Sequence, residues 1–292
     1  MNDTEAIETK WQTLIFTDLD GSLLDHFTYN TEPANQLLNY LEDQGIPVIF
    51  STSKTFEEVL ALRAELNNHH PFIVENGAAI YLPTDYFPED QLKEFIPSSH
   101  PDFLKLALCE DRAYWLTILD KVKPDYINQF SHFNEMGSYE ISRATGLSND
   151  NALLANKREY SEPIFWTGDQ DQKQRFINDM RNLGASFQEG GRFLHLIGRC
   201  NKGIALSVLL EQFQQQQITP ILSIALGDGK NDIPMLEEAA EAILIRSPAH
   251  PFPDIPKQTH IIKTDHYGPH GWAEGIKKVL TRHSYIFKET LE

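Results

Sequence analysis

The chain has 292 residues, 41% hydrophobic and 23% charged, which suits one large domain or two of ordinary size and argues against wholesale disorder. Its formal net charge of −17 disfavours nucleic acid and anionic membrane as general partners. Cys109 and Cys200 stand far apart in sequence without CxxC spacing, which argues against a disulfide framework or a zinc knuckle and fits a reducing cytoplasm.

The opening "MNDTEAIETKWQ" is acidic and polar and does not read as a signal peptide. No apolar run approaches the ~20 residues needed to span a bilayer, so a cytoplasmic protein is expected. The first third alternates strand and helix patterns. Residues 13–17 predict a buried strand. The segment "EPANQLLNYLEDQ" predicts a helix with Leu37, Leu38 and Leu41 on one face and Pro33 in its first turn, ended by Gly45. "IPVIFSTS" predicts a strand, "KTFEEVLALRAEL" a helix, and "PFIVENGAAIYL" two strands around an Asn-Gly turn. Such alternation points to parallel βαβ units.

Pro83, Pro88, Pro97 and Pro101 then mark a connecting region. Residues 103–199 mix strand-like stretches ("FLKLAL", "YINQFSHF", "PIFWTG", "FLHLIG") with helix-like ones ("YWLTILDKV", "QKQRFINDMRNLG"), as in a smaller α+β unit. From Lys202 the first pattern resumes: helix "KGIALSVLLEQF", strand "PILSIALGDG", helix "NDIPMLEEAAE" and short strand "AILI". The run Gln214 to Gln217 reads as a solvated helix end, and no internal repeat is evident. The expected fold is therefore α/β: a doubly wound, Rossmann-like parallel-sheet core over residues 1–83 and 197–292. An α+β cap spanning residues 84–196 is inserted in it. Ligands of such sheets sit beyond the carboxyl ends of the strands.

Four stretches fall at such ends: Asp18-Leu19-Asp20-Gly21, Ser51-Thr52-Ser53-Lys54, Lys202 opening a helix, and "GDGKND" with Asp228, Asn231 and Asp232. In an extended strand Asp18 and Asp20 share a face and repel, unless a cation or a bend at Gly21 intervenes. Clustered carboxylates without histidine or cysteine favour a hard cation such as Mg²⁺. Thr52, Ser53, Asn231 and Lys202 add hydroxyl, amide and ammonium donors suited to phosphate oxygens. Each stretch alone reads as a turn, a cap or a solvated lysine. Their joint placement points to a site for metal and phosphate together.

The set DLDGS, STSK, a lysine opening a helix and GDGKND resembles the haloacid dehalogenase superfamily of phosphotransferases, with a cap placed as in its Cof-type branch. The strings "FTDLDGSLLDHFTYN", "STSKT", "ENGAAI", "REYSEP", "GGRFLHL" and "GPHGW" are similar to the mannosyl-3-phosphoglycerate phosphatase family, some of whose relatives hydrolyse glucosyl-3-phosphoglycerate. Ser22 stands where that family usually has threonine, which keeps a hydroxyl. The resemblance implies a Mg²⁺-dependent phosphatase acting on a small phosphorylated sugar-glycerate, as a monomer or homodimer. Asp18 would be the nucleophile. Asp20 would protonate the leaving alkoxide and then deprotonate water. Mg²⁺ would be held by Asp18, the carbonyl of Asp20, Asp228 and Asp232, and Thr52 and Lys202 would bind the transferring oxygens.

In the matching strings, Arg158 and Arg192 suit a carboxylate, while Glu162, Glu75 and Asn76 suit sugar hydroxyls. Arg158 and Glu162 could instead pair with each other. His195 could face solvent or the interior of the cap. His26, Lys54 and His270 lie near these strings without an assigned role. Three rival readings are a broad-specificity sugar-phosphate or cofactor phosphatase, a DxD glycosyltransferase and a non-catalytic sugar-phosphate sensor. The glycosyltransferase leaves Thr52, Lys202 and "GDGKND" unexplained, and a sensor needs no nucleophile.

Overall fold

A computed structural model describes residues 11–190, 193–215 and 219–283, without the side chains of residues 189 and 190. In chain order the elements are β1 (Gln12–Thr17), α1 (Glu32–Asp43), β2 (Val48–Ser51), α2 (Phe56–Glu65), β3 (Phe72–Val74), β4 (Ala79–Pro83), β5 (Ile96–Pro97) and β6 (Phe103–Ala107). There follow α3 (Arg112–Val122), β7 (Phe130–His132), α4 (Ser138–Thr145), α5 (Asn149–Asn156), β8 (Glu162–Trp166), α6 (Gln170–Asn182), β9 (Ser186–Gly190) and β10 (Phe193–Ile197). The chain continues with α7 (Lys202–Gln214), β11 (Ile221–Gly227), α8 (Ile233–Glu238), β12 (Glu241–Arg246), β13 (Ile261–Tyr267) and α9 (His270–Arg282).

A nine-stranded sheet runs β13-β12-β11-β1-β2-β3-β4-β6-β5. It is parallel from β13 to β3 and antiparallel from β3 outward. Its strands alternate between two apolar layers. Ile15 faces the layer closed by α1, α2 and α9, while Leu14 and Phe16 face the layer closed by α7 and α8. Helices on both faces make the expected doubly wound arrangement, so the central strands are apolar throughout. Among the described residues no helix is long and apolar enough to cross a membrane.

The second sheet is four-stranded and antiparallel, in the order β7-β8-β10-β9. One face packs on α3 and α6 through Trp115, Leu119, Phe176 and Met180. The sheet pairing corrects the expected boundary at residue 84. Residues 103–107 pair with β4 along its whole length, so the connecting region extends the large sheet and the chain leaves it only after Ala107. Pro83 and Pro97 close β4 and β5, and Pro88 and Pro101 lie in the connections of this antiparallel extension. Two crossings join the sheets, at residues 108–111 and 198–201. There Cys109 and Cys200, remote in sequence, meet as free thiols with Sγ atoms 3.2 Å apart.

Local signals set the helix starts. Thr55 caps α2, accepting from Glu58 N–H at 3.3 Å, while the Glu58 carboxylate accepts from Thr55 N–H at 2.9 Å. The helix therefore begins at Phe56 rather than at Lys54. Asn201 caps α7 by accepting from Ile204 N–H at 2.9 Å, which fixes Lys202 as the first helical residue. Of the glutamine run, Gln214 ends α7, and Gln216 and Gln217 lie outside the described residues.

Candidate active site

The central strands β1 and β11 run side by side, and the polypeptide turns sharply after each. Asp18 follows β1 and donates its N–H to the Leu226 carbonyl at 2.9 Å, so pairing with β11 continues to this aspartate. Gly21 then turns the chain with φ of +79°, and a Cβ there would lie 2.8 Å from Asp228 Oδ2. Only glycine meets both demands without strain. Across this turn, one carboxylate oxygen each of Asp18, Asp228 and Asp232 falls within 4.8 Å of the others.

Lys202 reaches into this group from the first residue of α7. Its fully buried ammonium donates to Asp18 Oδ1 and Asp232 Oδ1, both at 2.6 Å. Burial works against the ammonium, but Asp18 and Asp232 raise its pKa and hold it protonated. Asp232 Oδ2 accepts from the N–H groups of Asp228 and Gly229 at 3.1 and 2.9 Å, so the "GDGKND" turn is folded around that carboxylate. Burial, then the charge of Asp232, pushes Asp18 well above the usual carboxylate range. The same two causes, in that order, push Asp228 up to about 6. With all three carboxylates ionised, one ammonium leaves two negative charges uncompensated. An all-oxygen donor set with that deficit fits a hard divalent cation.

The neighbouring strand ends complete the surroundings. Thr52 is fully buried, donates its N–H to Ile73 O at 3.0 Å and accepts from Lys54 N–H at 3.2 Å through Oγ1. Lys54 Nζ lies 2.8 Å from Asp20 Oδ1. Burial opposes the Lys54 charge, yet Asp20 and Glu58 raise its pKa overall. Asn76 Oδ1 accepts from Asn231 Nδ2 at 3.2 Å, tying the β3–β4 turn to the "GDGKND" turn. Trp272, fully buried at the start of α9, donates from Nε1 to Thr17 Oγ1 at 2.9 Å, and Thr17 in turn donates to the Asp18 carbonyl at 2.7 Å. The tryptophan of "GPHGW" thus supports the backbone of Asp18, whereas His270 is exposed.

A cavity of about 700 Å³ opens over Asp18, Asp20 and Asp228. Ser53, Asn76 and Asn231 also line it. Three candidate residues lie elsewhere. Glu75 is buried and its carboxylate accepts from the N–H of Glu159 and of Ser161, each at 2.8 Å, and from Ser161 Oγ at 2.6 Å. Glu162 is fully buried and accepts from Arg112 Nε and from Asn134 N–H at 2.7 Å, with His132 Nδ1 at 2.9 Å. Burial alone would raise the Glu162 carboxyl, but His132 and Arg112 hold it below its ordinary value. The carboxylates of Glu75 and Glu162, expected at sugar hydroxyls, thus have internal partners. Arg158 does not pair with Glu162: its Nη1 donates to Ser161 Oγ at 2.8 Å and to Ser53 O at 3.2 Å, and lies 3.8 Å from Glu75 Oε2. Arg192 lies outside the described residues.

Sequence reasoning missed Gln188 and His250, which line the cavity, and gave no role to His26 and His195, which line it too. His250 Nε2 lies 3.5 Å from Asp228 Oδ2. A signal was available for His250, because "SPAHPFPD" follows a parallel strand adjacent to β11 and so begins at a carboxyl end.

Residues 15–249 match the family of haloacid dehalogenase-like hydrolases. A glucosyl-3-phosphoglycerate/mannosyl-3-phosphoglycerate phosphatase from Methanococcoides burtonii is 33% identical over 273 residues, covering 94% of this chain and 99% of that protein. One from Persephonella marina, of the same name, is 35% identical over 282 residues, covering 91% of this chain and 97% of the relative. Among solved structures, a phosphatase of the haloalkanoate superfamily from Bacteroides thetaiotaomicron superposes with a TM-score of 0.64 at 15% identity, covering 98% of this chain and 100% of the other. A Thermoplasma acidophilum protein gives 0.63 at 16% identity, covering 94% and 99%. These two structures bear on the fold alone. The chain belongs to the haloacid dehalogenase-like hydrolase family.

Proposed function

We propose that the chain is a phosphatase that hydrolyses a glycosyl-3-phosphoglycerate, mannosyl- or glucosyl-, to the glycosylglycerate and phosphate. The single observation that carries the chemistry is the buried Asp18–Lys202–Asp232 bridge beneath a cavity that also exposes Asp20 and Asp228. The substrate is carried by the two relatives whose names specify it and whose lengths this chain covers almost completely.

The Asp18 carboxylate attacks phosphorus, forming an aspartyl-phosphate as the P–O bond to the leaving group breaks. Asp20, partly exposed at the cavity, gives a proton to the departing alkoxide. It then takes a proton from the water that attacks the aspartyl-phosphate, which returns Asp18 and releases phosphate. Lys202 holds Asp18 in place and offers positive charge at the transferring oxygens, and Thr52 offers its hydroxyl. Asp18, the Asp20 carbonyl, Asp228 and Asp232 would hold Mg²⁺, which when bound supplies charge neutralisation of nucleophile and phosphate. Residues after Ala107, up to β10, serve as the cap that closes the cavity opposite the large sheet and excludes water.

Phosphate release from mannosyl-3-phosphoglycerate, glucosyl-3-phosphoglycerate and glucose 6-phosphate, with Asp18→Asn as blank, tests the reading. Strong preference for a glycosyl-3-phosphoglycerate is expected. Comparable turnover of glucose 6-phosphate would instead establish a broad-specificity phosphatase.

A further inference from the structure

The mechanism above uses the floor of the cavity and leaves its opposite wall without a role. On β10, Leu194 and Leu196 turn into the layer made with α3 and α6, so His195 points from the opposite face of the small sheet, where its neighbour Phe193 packs toward α4 and α5. Across the hairpin His195 pairs in register with Gln188 of β9, whose neighbour Phe187 packs against the same helix layer. Gln188 and His195 therefore stand side by side on one face. Both line the cavity that holds Asp18, and β9 packs against the turn carrying Asn231.

Each of the two presents a buried polar atom without a protein partner, His195 Nδ1 and Gln188 Oε1. Buried polar atoms are ordinarily matched, and an orphan at a cavity wall is a place for a ligand atom. Burial, with Arg158 nearby, pushes the His195 imidazole down to about 3, so the ring is neutral near pH 7. Two neutral, directional groups suit hydroxyls, which both donate and accept, better than phosphate or carboxylate. The loop after β12 adds an apolar side to the same cavity through Pro251 and Phe252. Polar atoms on one wall and carbon on another match a sugar ring, with its hydroxyl edge and its C–H faces.

We propose that Gln188 and His195 read the hydroxyls of a sugar carried on the leaving group and so determine which phosphate esters are accepted. This inference rests on the phosphatase reading and deepens it. Phosphoryl transfer itself stays with the floor of the cavity, and the wall sets the preference between a glycosylated ester and the bare one.

The test compares kcat and KM for mannosyl-3-phosphoglycerate, glucosyl-3-phosphoglycerate and 3-phosphoglycerate in the wild type, Gln188→Met, His195→Phe and His195→Gln. Gln188→Met and His195→Phe each lower kcat/KM for the preferred glycosylated ester by about 10- to 100-fold, the loss expected when one hydrogen-bond partner is removed and a buried hydroxyl is left unpaired. Their kcat/KM for 3-phosphoglycerate changes by less than about threefold, since that ester lacks the sugar. His195→Gln, which keeps a donor and an acceptor, recovers part of the loss. Equal losses on both kinds of ester, or none on either, overturn the inference. Thermal melts identify a misfolded variant, and the near-isosteric Gln188→Met on an edge strand then decides. A wild type that hydrolyses 3-phosphoglycerate as well as the glycosylated esters overturns the substrate reading of the preceding subsection. A wild type with the preference, whose variants keep it, overturns this inference alone.

Discussion

The ammonium of Lys202 lies 2.6 Å from Oδ1 of Asp18, with both groups removed from water and Asp232 an equal distance from the same nitrogen. Replacing Lys202 with methionine leaves buried carboxylates facing one another. The barrier should rise by about 2–4 kcal/mol, a loss of roughly 30- to 900-fold in kcat. Stability near pH 7 should fall by about 3–5 kcal/mol, the usual result of removing one partner from a buried ion pair. That loss should shrink as the pH is lowered, because Asp18, already raised above its ordinary value, takes up a proton and ends the repulsion. Denaturation midpoints at pH 5 and pH 7.5 check the sign, and a pH-independent loss would contradict it.

Asp228 gives a second pH signature. Its folded pKa of about 6 exceeds an unfolded value of about 3.9. In the metal-free protein the folded state therefore binds the extra proton. The stability it contributes is present below about pH 4 and is lost as the pH rises through 6, by roughly 3 kcal/mol at most. In EDTA, the melting temperature of Asp228→Asn should gain on that of the wild type across this window. Adding Mg²⁺ should raise the wild-type melting temperature more at pH 7 than at pH 5, because metal and proton compete for the carboxylates. A Mg²⁺ effect that is equal at both pH values would argue against that competition.

Glu75 ties the β3–β4 turn to residues 159–161 through three backbone N–H groups and one hydroxyl. Glu75→Gln turns one acceptor into a donor that faces N–H groups. A destabilisation of about 2–4 kcal/mol is expected, in line with loss of charged hydrogen bonds in a buried site. Limited proteolysis around residues 157–161 should accelerate with it. Cleavage at the wild-type rate would remove the clasp from the account.

Trp272→Phe keeps an aromatic ring in place but removes the Nε1–H donated to Thr17 together with part of the fully buried indole. About 1–3 kcal/mol of stability should be lost. The Asp18 backbone loses a support, so kcat should fall by roughly tenfold or less while KM stays near its wild-type value. A change confined to KM would place Trp272 on substrate binding.

Most of the floor of the site was legible because Asp18, Thr52, Asp228 and Asp232 follow strands at their carboxyl ends, where a doubly wound sheet gathers them. Lys202 follows no strand of that sheet and was legible only as the residue that opens a helix. The wall was not legible. Gln188 and His195 reach the cavity because alternate residues on β9 and β10 face the helices, and no single-residue signal distinguishes such a glutamine from a solvated one. The internal partners of Glu75 and Glu162 were hidden for a related reason. Ser161 meets Glu75 through the docking of the two sheets, and Arg112 meets Glu162 through the packing of α3 on the small sheet. The antiparallel extension through β5 and β6 escaped notice because its turns are proline-rich, and prolines at strand ends resemble those of a linker. α9 and β13 carried no motif except "GPHGW", whose tryptophan is explained only by Thr17.

The turn at Glu75, Asn76 and Gly77 holds φ values of +48°, +60° and +94°, an arrangement that two side-chain-bearing residues adopt only under external constraint. Each residue draws that constraint from a different distant segment. Glu75 reaches 86 positions ahead to Ser161 and Asn76 reaches 155 ahead to Asn231. Gly77 abuts the Asn201 backbone so closely that a Cβ would lie 2.2 Å from it. Loop-closure entropy makes such pairings late events in folding. The turn can settle only after both sheets and the cap of α7 have arrived, which is also when Lys202 comes within reach of Asp18. The pairing of Asp18 with Lys202 thus depends on the same long-range contacts that settle this turn.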